Sequence, residues 1–159
     1  MQKERFDPIE DVKQFHETFG HPVAIRPVLI PKERLLNRID WIISELEELK
    51  KAHEEGDIVE VADALADAQY FLSGTVIEFG LGDLFPKVFT EVQRSNMSKA
   101  CNSHEEAYDT MVSYQKQNVI THINDSLGNG LYTVVRASDG KTLKSINWSE
   151  PNLEFVKDI

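Results

Sequence analysis

Arg38-Ile39-Asp40-Trp41-Ile42-Ile43-Ser44-Glu45-Leu46-Glu47-Glu48-Leu49, followed across Lys50 to Ile58 by Val59-Glu60-Val61-Ala62-Asp63-Ala64-Leu65-Ala66-Asp67-Ala68-Gln69-Tyr70, decides the fold. Leu35, Ile39, Ile42, Leu46 and Leu49 recur at helical spacing, with Leu36 and Ile43 widening the stripe. This predicts a helix from about Lys32 to Glu55, stopped by Gly56. Asp57 is the expected cap of the next helix, which runs to about Phe79 with Gly80 just past its end. So short a connection makes the two helices antiparallel neighbours.

Two acidic pairs lie on that hairpin. Glu45 and Glu48 are three residues apart on the first helix, and Glu60 and Asp63 three apart on the second. Such spacing puts both members of a pair on one helical face. Four carboxylates brought between two helices repel one another unless they are protonated or hold cations. Oxygen-only donors favour hard ions, Mg²⁺ or Mn²⁺. Asp67 could support the cluster, and Ala62, Ala64, Ala66 and Ala68 would allow close approach of the helices. The plainer reading is a solvated acidic face, with Glu60 acting as capping-box partner of Asp57. Asp63 fits that reading least, because it interrupts Val61, Ala62, Ala64 and Leu65.

Working outward, Asp7-Pro8 opens an earlier helix carrying Ile9, Val12, Phe15 and Phe19 and ended by Gly20. Pro22, Pro27 and Pro31 make an extended connection. Asp83 is the expected cap of a fourth helix with Phe85, Val88, Phe89 and Val92 inward, and Ser103 with Glu106 caps a fifth. Beyond Asn118, Tyr132 to Arg136 and Thr142 to Trp148 are β-prone around Asp139-Gly140 and predict a hairpin. The expected fold is all-α: a bundle of four to five helices over residues 1–118, with a C-terminal hairpin extension over 119–159.

The chain has 159 residues, a net charge of −10 and one cysteine, Cys101. That length suits one domain. The charge argues against nucleic acid as a partner. No apolar run approaches the ~20 residues of a membrane span, and Met1 to Glu10 lacks a signal-peptide core. A single cysteine makes a reducing, cytoplasmic setting the expectation. No histidine follows a glutamate by three residues, so a ferritin-like di-iron site is disfavoured, and no phosphate-binding Gly-x-x-x-x-Gly-Lys loop is present.

The stretch from Arg38 to Leu49 resembles the first motif, Glu-Glu-x-x-Glu, of the MazG-like all-α NTP pyrophosphohydrolases. Glu60 to Tyr70 is similar to their Glu-x-x-Asp motif, and Phe89 to Lys99, ending Ser95-Asn96-Met97-Ser98-Lys99, to their third block. The similarity is greatest to the branch near dimeric dUTPases and phosphoribosyl-ATP pyrophosphohydrolases. The resemblance implies Mg²⁺-dependent hydrolysis of a nucleoside triphosphate to the monophosphate and pyrophosphate, as in nucleotide-pool housecleaning, by a homodimer or homotetramer. It carries Glu45, Glu48, Glu60 and Asp63 onto the metal ligands. Asn96 and Lys99 fall on nucleotide- and phosphate-binding positions; Arg94 and Lys141 are further candidates for substrate phosphates. Glu45 and Glu48 are the candidate catalytic carboxylates, with Glu45 the expected general base. Ser44 stands where the first motif has a glutamate, which puts an additional metal or water-activating carboxylate in question. The competing reading is a non-catalytic helical oligomerisation module with the same acidic bundle.

Overall fold

The computed structural model describes residues 6–125 and 128–157. Among these, five α-helices carry the fold: α1 (Pro8–Phe19), α2 (Lys32–Glu55), α3 (Ile58–Glu78), α4 (Phe85–Met97) and α5 (His104–Gln115). Short 3₁₀ turns occupy Gly82–Leu84 and Glu154–Val156, and two strands, β1 (Thr121–Asn124) and β2 (Thr133–Arg136), pair antiparallel. The expected all-helical bundle with a small two-stranded sheet is therefore observed. No helix among the described residues is long and apolar enough to cross a membrane.

The chain divides into two compact units. One holds the chain up to Phe85 together with the stretch from Phe155; the other is Pro86–Glu154. The expected boundary near residue 118 falls inside the second unit.

In the first unit α3 packs against both α1 and α2. The α2–α3 connection forms as local chemistry demands. Gly56 takes φ +72°, and the Gly56 and Asp57 N–H groups donate to the carbonyls of His53 and Ala52. Asp57 Oδ1 then accepts from Val59 N and Glu60 N, at 2.9 and 3.2 Å. Ala52 and Ala64 are buried, so α2 and α3 approach on small side chains. Outside this contact the apolar stripe is wider than the core uses: Leu36, Ile39, Ile43 and Leu46 on α2 are 40–49% exposed.

The proline-rich connection lies along the end of α3. Ala24 N–H donates to Ile77 O and Val28 N–H to Phe79 O, at 3.3 and 3.0 Å. Gly80 makes this approach feasible, with φ +67° and no side chain: a Cβ there would overlap the carbonyl of Arg26. Gly80→Ala is expected to lose about 2–3 kcal/mol, from the left-handed backbone and the collision together. Urea unfolding measures it, and a midpoint equal to wild type would refute the packing described.

The second unit surrounds Cys101, Ala107 and Val134, with Met111, Ile123 and Tyr132 against them. Three expectations are corrected here. Phe89 was expected to point inward and is 63% exposed. The strand at Tyr132–Arg136, expected to pair along Thr142–Trp148, has β1 as its main partner, Thr121 opposite Arg136 and Asn124 opposite Thr133, and meets the expected arm only at its start. The Asp139-Gly140 turn does form, and the Arg136 N–H to Lys141 O bond, the Val135–Thr142 bridge and the Leu143 N–H to Val134 O bond continue the pairing past it, as far as Leu143. Beyond that point the chain bonds to α5 and to Ser98, just past α4. Ile146 N–H donates to Thr110 Oγ1, Tyr114 Oη–H to Lys144 O, and Ser145 Oγ–H to Ser98 O. Asp83, expected to cap α4, lies within the 3₁₀ turn that precedes it.

Candidate active site

Glu48, Glu60 and Asp63 line one depression of about 340 Å³ between α2 and α3, together with Lys51, Ala52, Glu55 and Ala64. Glu45, one turn before Glu48, lines a second cleft of about 460 Å³ with Asp67. Loss of solvation raises the Glu45 carboxyl above the usual glutamate range, and the charges of Glu48, Asp67 and Asp63 raise it further. The helix hairpin thus brings all four expected ligands to neighbouring positions, and adds Asp67.

Among the described residues, none of these five carboxylates joins an ion pair. Lys51, the cation in their pocket, faces Glu55 at 3.9 Å and is 74% exposed. Glu60 gives its backbone N–H to Asp57, but its carboxylate does not close a capping box. Among the described residues, no three histidine, cysteine or carboxylate side chains stand close enough to enclose a metal ion. Mutual repulsion keeps unscreened carboxylates apart, and the donor set of unpaired oxygens on facing helices suits a hard divalent cation. Ser44 returns its hydroxyl to the carbonyl of Trp41 at 2.7 Å, so it adds no charge in place of the motif glutamate.

A second group, in the same unit, escaped the sequence reading. Glu78, 2% exposed, accepts from Arg34 Nε and Nη2 at 2.8 and 2.6 Å, and Arg38 Nη1 lies 3.5 Å away. Arg38 also donates to Thr75 Oγ1 and to the carbonyl of Phe71, and its guanidinium faces the rings of Trp41 and Phe71. His16 is buried beside it and donates from Nδ1 to Pro22 O at 2.8 Å. Burial pushes the His16 imidazole below its ordinary pKa, and the Arg38 charge adds to this. Glu78 had a signal in the sequence: it follows Val76-Ile77 in an apolar run, the same anomaly that singled out Asp63.

The other candidates lie in the second unit. Arg94 is committed to a clamp: Nε and Nη2 donate to Glu91, Nη1 to Ser149 Oγ and Nη2 to Glu150 O. Arg94 and the N–H of Asn152 hold the Glu91 carboxyl down at about 2. A phosphate would have to compete with Glu91 for Arg94. Lys99 donates to Asn96 Oδ1 at 2.8 Å, which places these two beside each other at the end of α4. Lys141 is exposed on the turn after Asp139, and Lys144 Nζ stands 3.3 Å over the Trp148 ring.

The model of the phosphoribosyl-ATP pyrophosphohydrolase family matches residues 12–96 of this chain. The chain belongs to that family. The phosphoribosyl-ATP pyrophosphohydrolase match covers α2 and α3 with all four carboxylates, and extends through α4 to Asn96. It places the chain within the MazG-like all-α superfamily. Lys99, α5, the sheet and Lys141 lie beyond the matched residues. An uncharacterised protein of Acanthamoeba polyphaga mimivirus is 28% identical over 121 residues, covering 60% of this chain. The chain spans about half, 48%, of that relative's length.

Proposed function

We propose that this chain hydrolyses a nucleoside triphosphate to the monophosphate and pyrophosphate, with Mg²⁺ or Mn²⁺ held by Glu45, Glu48, Glu60 and Asp63. The observation that carries this reading is the set of unpaired carboxylates on the facing sides of α2 and α3, close enough that Glu48, Asp63 and Asp67 raise the Glu45 carboxyl. The divalent ion, when bound, supplies charge against the triphosphate and lowers the pKa of a coordinated water. Glu45, partly withdrawn from solvent, takes the proton of the attacking water. The water oxygen bonds to phosphorus, the bridging P–O bond breaks, and its electron pair leaves on pyrophosphate. Glu48 is the second catalytic carboxylate, holding the ion beside Glu45.

The family's name favours phosphoribosyl-ATP as an alternative substrate for the same chemistry. A panel of NTPs, dNTPs and phosphoribosyl-ATP, scored for pyrophosphate rather than orthophosphate, tests the reaction and chooses among them. Orthophosphate as the sole product would refute it. The exposed Leu36, Ile39, Ile43 and Leu46 support a homo-oligomer, most simply a dimer. A monomeric mass by light scattering at micromolar concentration would count against that.

Metal binding has its own expected result. Saturating Mg²⁺ raises Tm by about 5 °C through mass action on the native state, and EDTA reverses the rise. An equal rise with monovalent salt at matched ionic strength would show a merely screened acidic surface.

A further inference from the structure

The cleft that Glu45 and Asp67 share has aromatic walls that hydrolysis itself does not require. Phe15 and His21 stack with centroids 5.6 Å apart and an interplanar angle of 12°. Tyr70 meets Phe15 edge-on at 5.5 Å, and Trp41 lies 5.8 Å from Phe71. Phe15 and Tyr70 are 37% and 38% exposed, so they border an open cleft and do not fill a core. Arg38 and His16 complete the lining, and both lie against Gly74, where a Cβ would collide with Arg38 Nη2 and stand 2.8 Å from His16 Nε2.

The cleft is poorly suited to phosphate. Arg38 is already matched by Glu78, His16 is held toward its neutral form, and two carboxylates stand on the lining. Planar aromatic walls with carboxylate acceptors beside them suit an uncharged, flat, hydrogen-bonding group. A nucleobase has that chemistry, and every base offers a π-face to stack. Glu45 joins this cleft to the carboxylates around Asp63. Resting on the proposed hydrolysis, we infer that this cleft seats the nucleoside, with the base against Phe15, His21, Trp41 and Tyr70. The triphosphate then extends past Glu45 toward Glu48, Glu60 and Asp63.

The chain has two tryptophans, so Trp148→Phe leaves Trp41 as the only indole reporter. In that protein, with Mg²⁺ present, at least one of AMP, CMP, GMP and UMP is expected to quench Trp41 fluorescence saturably. Ribose 5-phosphate, which has no base, is expected to leave it unchanged. Adding Tyr70→Ala or Phe15→Ala weakens the quenching at least about 10-fold and raises KM for the triphosphate similarly, as for loss of one stacking partner. Tyr70→Phe keeps the ring and restores both, which separates stacking from a folding defect. Failure of every monophosphate to quench up to millimolar concentration, equal quenching by ribose 5-phosphate, or wild-type binding in both alanine variants would overturn the assignment. Quenching without pyrophosphate release by wild type overturns the hydrolytic reading alone. Release without quenching, at unchanged KM in the variants, overturns the cleft assignment alone.

Discussion

Asp63→Asn is expected to lower pyrophosphate release about 100-fold or more while the protein stays folded. A metal ion contributes several kcal/mol to such a transition state, and each ~1.4 kcal/mol is a factor of ten. The amide matches the carboxylate in size but lacks the charge that holds the ion. Asp63 is exposed, and among the described residues its side chain makes no hydrogen bond or ion pair, so loss of its charge removes no structural contact. Its charge is also one of those raising the Glu45 carboxyl. A carboxyl raised in the folded state binds more protons there than in the unfolded chain. Its stabilising contribution is therefore full below the ordinary glutamate pKa and is lost as pH rises through the folded value. Asp63→Asn relieves part of that loss, so metal-free stability at neutral pH is unchanged or slightly higher, while the rise in Tm with Mg²⁺ shrinks. Parallel assays of pyrophosphate release and thermal unfolding, with and without Mg²⁺, read all three effects. Full turnover in a folded Asp63→Asn protein would end the catalytic assignment.

Glu78→Gln should produce the largest loss of stability, about 3–5 kcal/mol. Glu78 is a shared anchor: both carboxylate oxygens are engaged by Arg34, and Arg38 stands 3.5 Å from one of them. The Arg38 side chain is only 5% exposed and cannot turn to water when its counter-charge disappears. Glutamine preserves volume and one acceptor oxygen, so the loss measures the uncompensated charge and not a cavity. Arg34→Lys should cost less, because Arg34 is 26% exposed and a lysine retains the charge though not the two-pronged geometry. Urea unfolding of both variants orders them; a Glu78→Gln loss below about 1 kcal/mol would mean that the buried pair is already solvated or neutral.

The α2–Gly56–Asp57–α3 hairpin was legible because each of its signals is local. Apolar periodicity, a left-handed glycine and an aspartate cap act within a turn or two of chain, and they place Glu45, Glu48, Glu60 and Asp63 on facing helices without any distant contact. The same local logic found the start of α1 at Asp7-Pro8 and the Ser103 cap of α5. It overextended the hairpin because Asp139-Gly140 specifies a turn and the pairs beside it, not how far the second arm follows the first. Strand pairing is settled over distance, and residues 144–149 bond instead to Thr110 and Tyr114 of α5 and to Ser98, just past α4. Burial of Phe89 was likewise read from helical spacing, which says that a helix has an apolar side but not how much of it is covered. The sequence by itself determined the helices, the caps at Asp7, Asp57 and Ser103 and the acidic face, since these follow from backbone geometry within a few residues. Only the tertiary structure decided that Glu78 meets Arg34 and Arg38, and that α1, α2 and α3 enclose an aromatic cleft beside the carboxylates. Those contacts join residues tens of positions apart, and what selects them is the packing of whole helices.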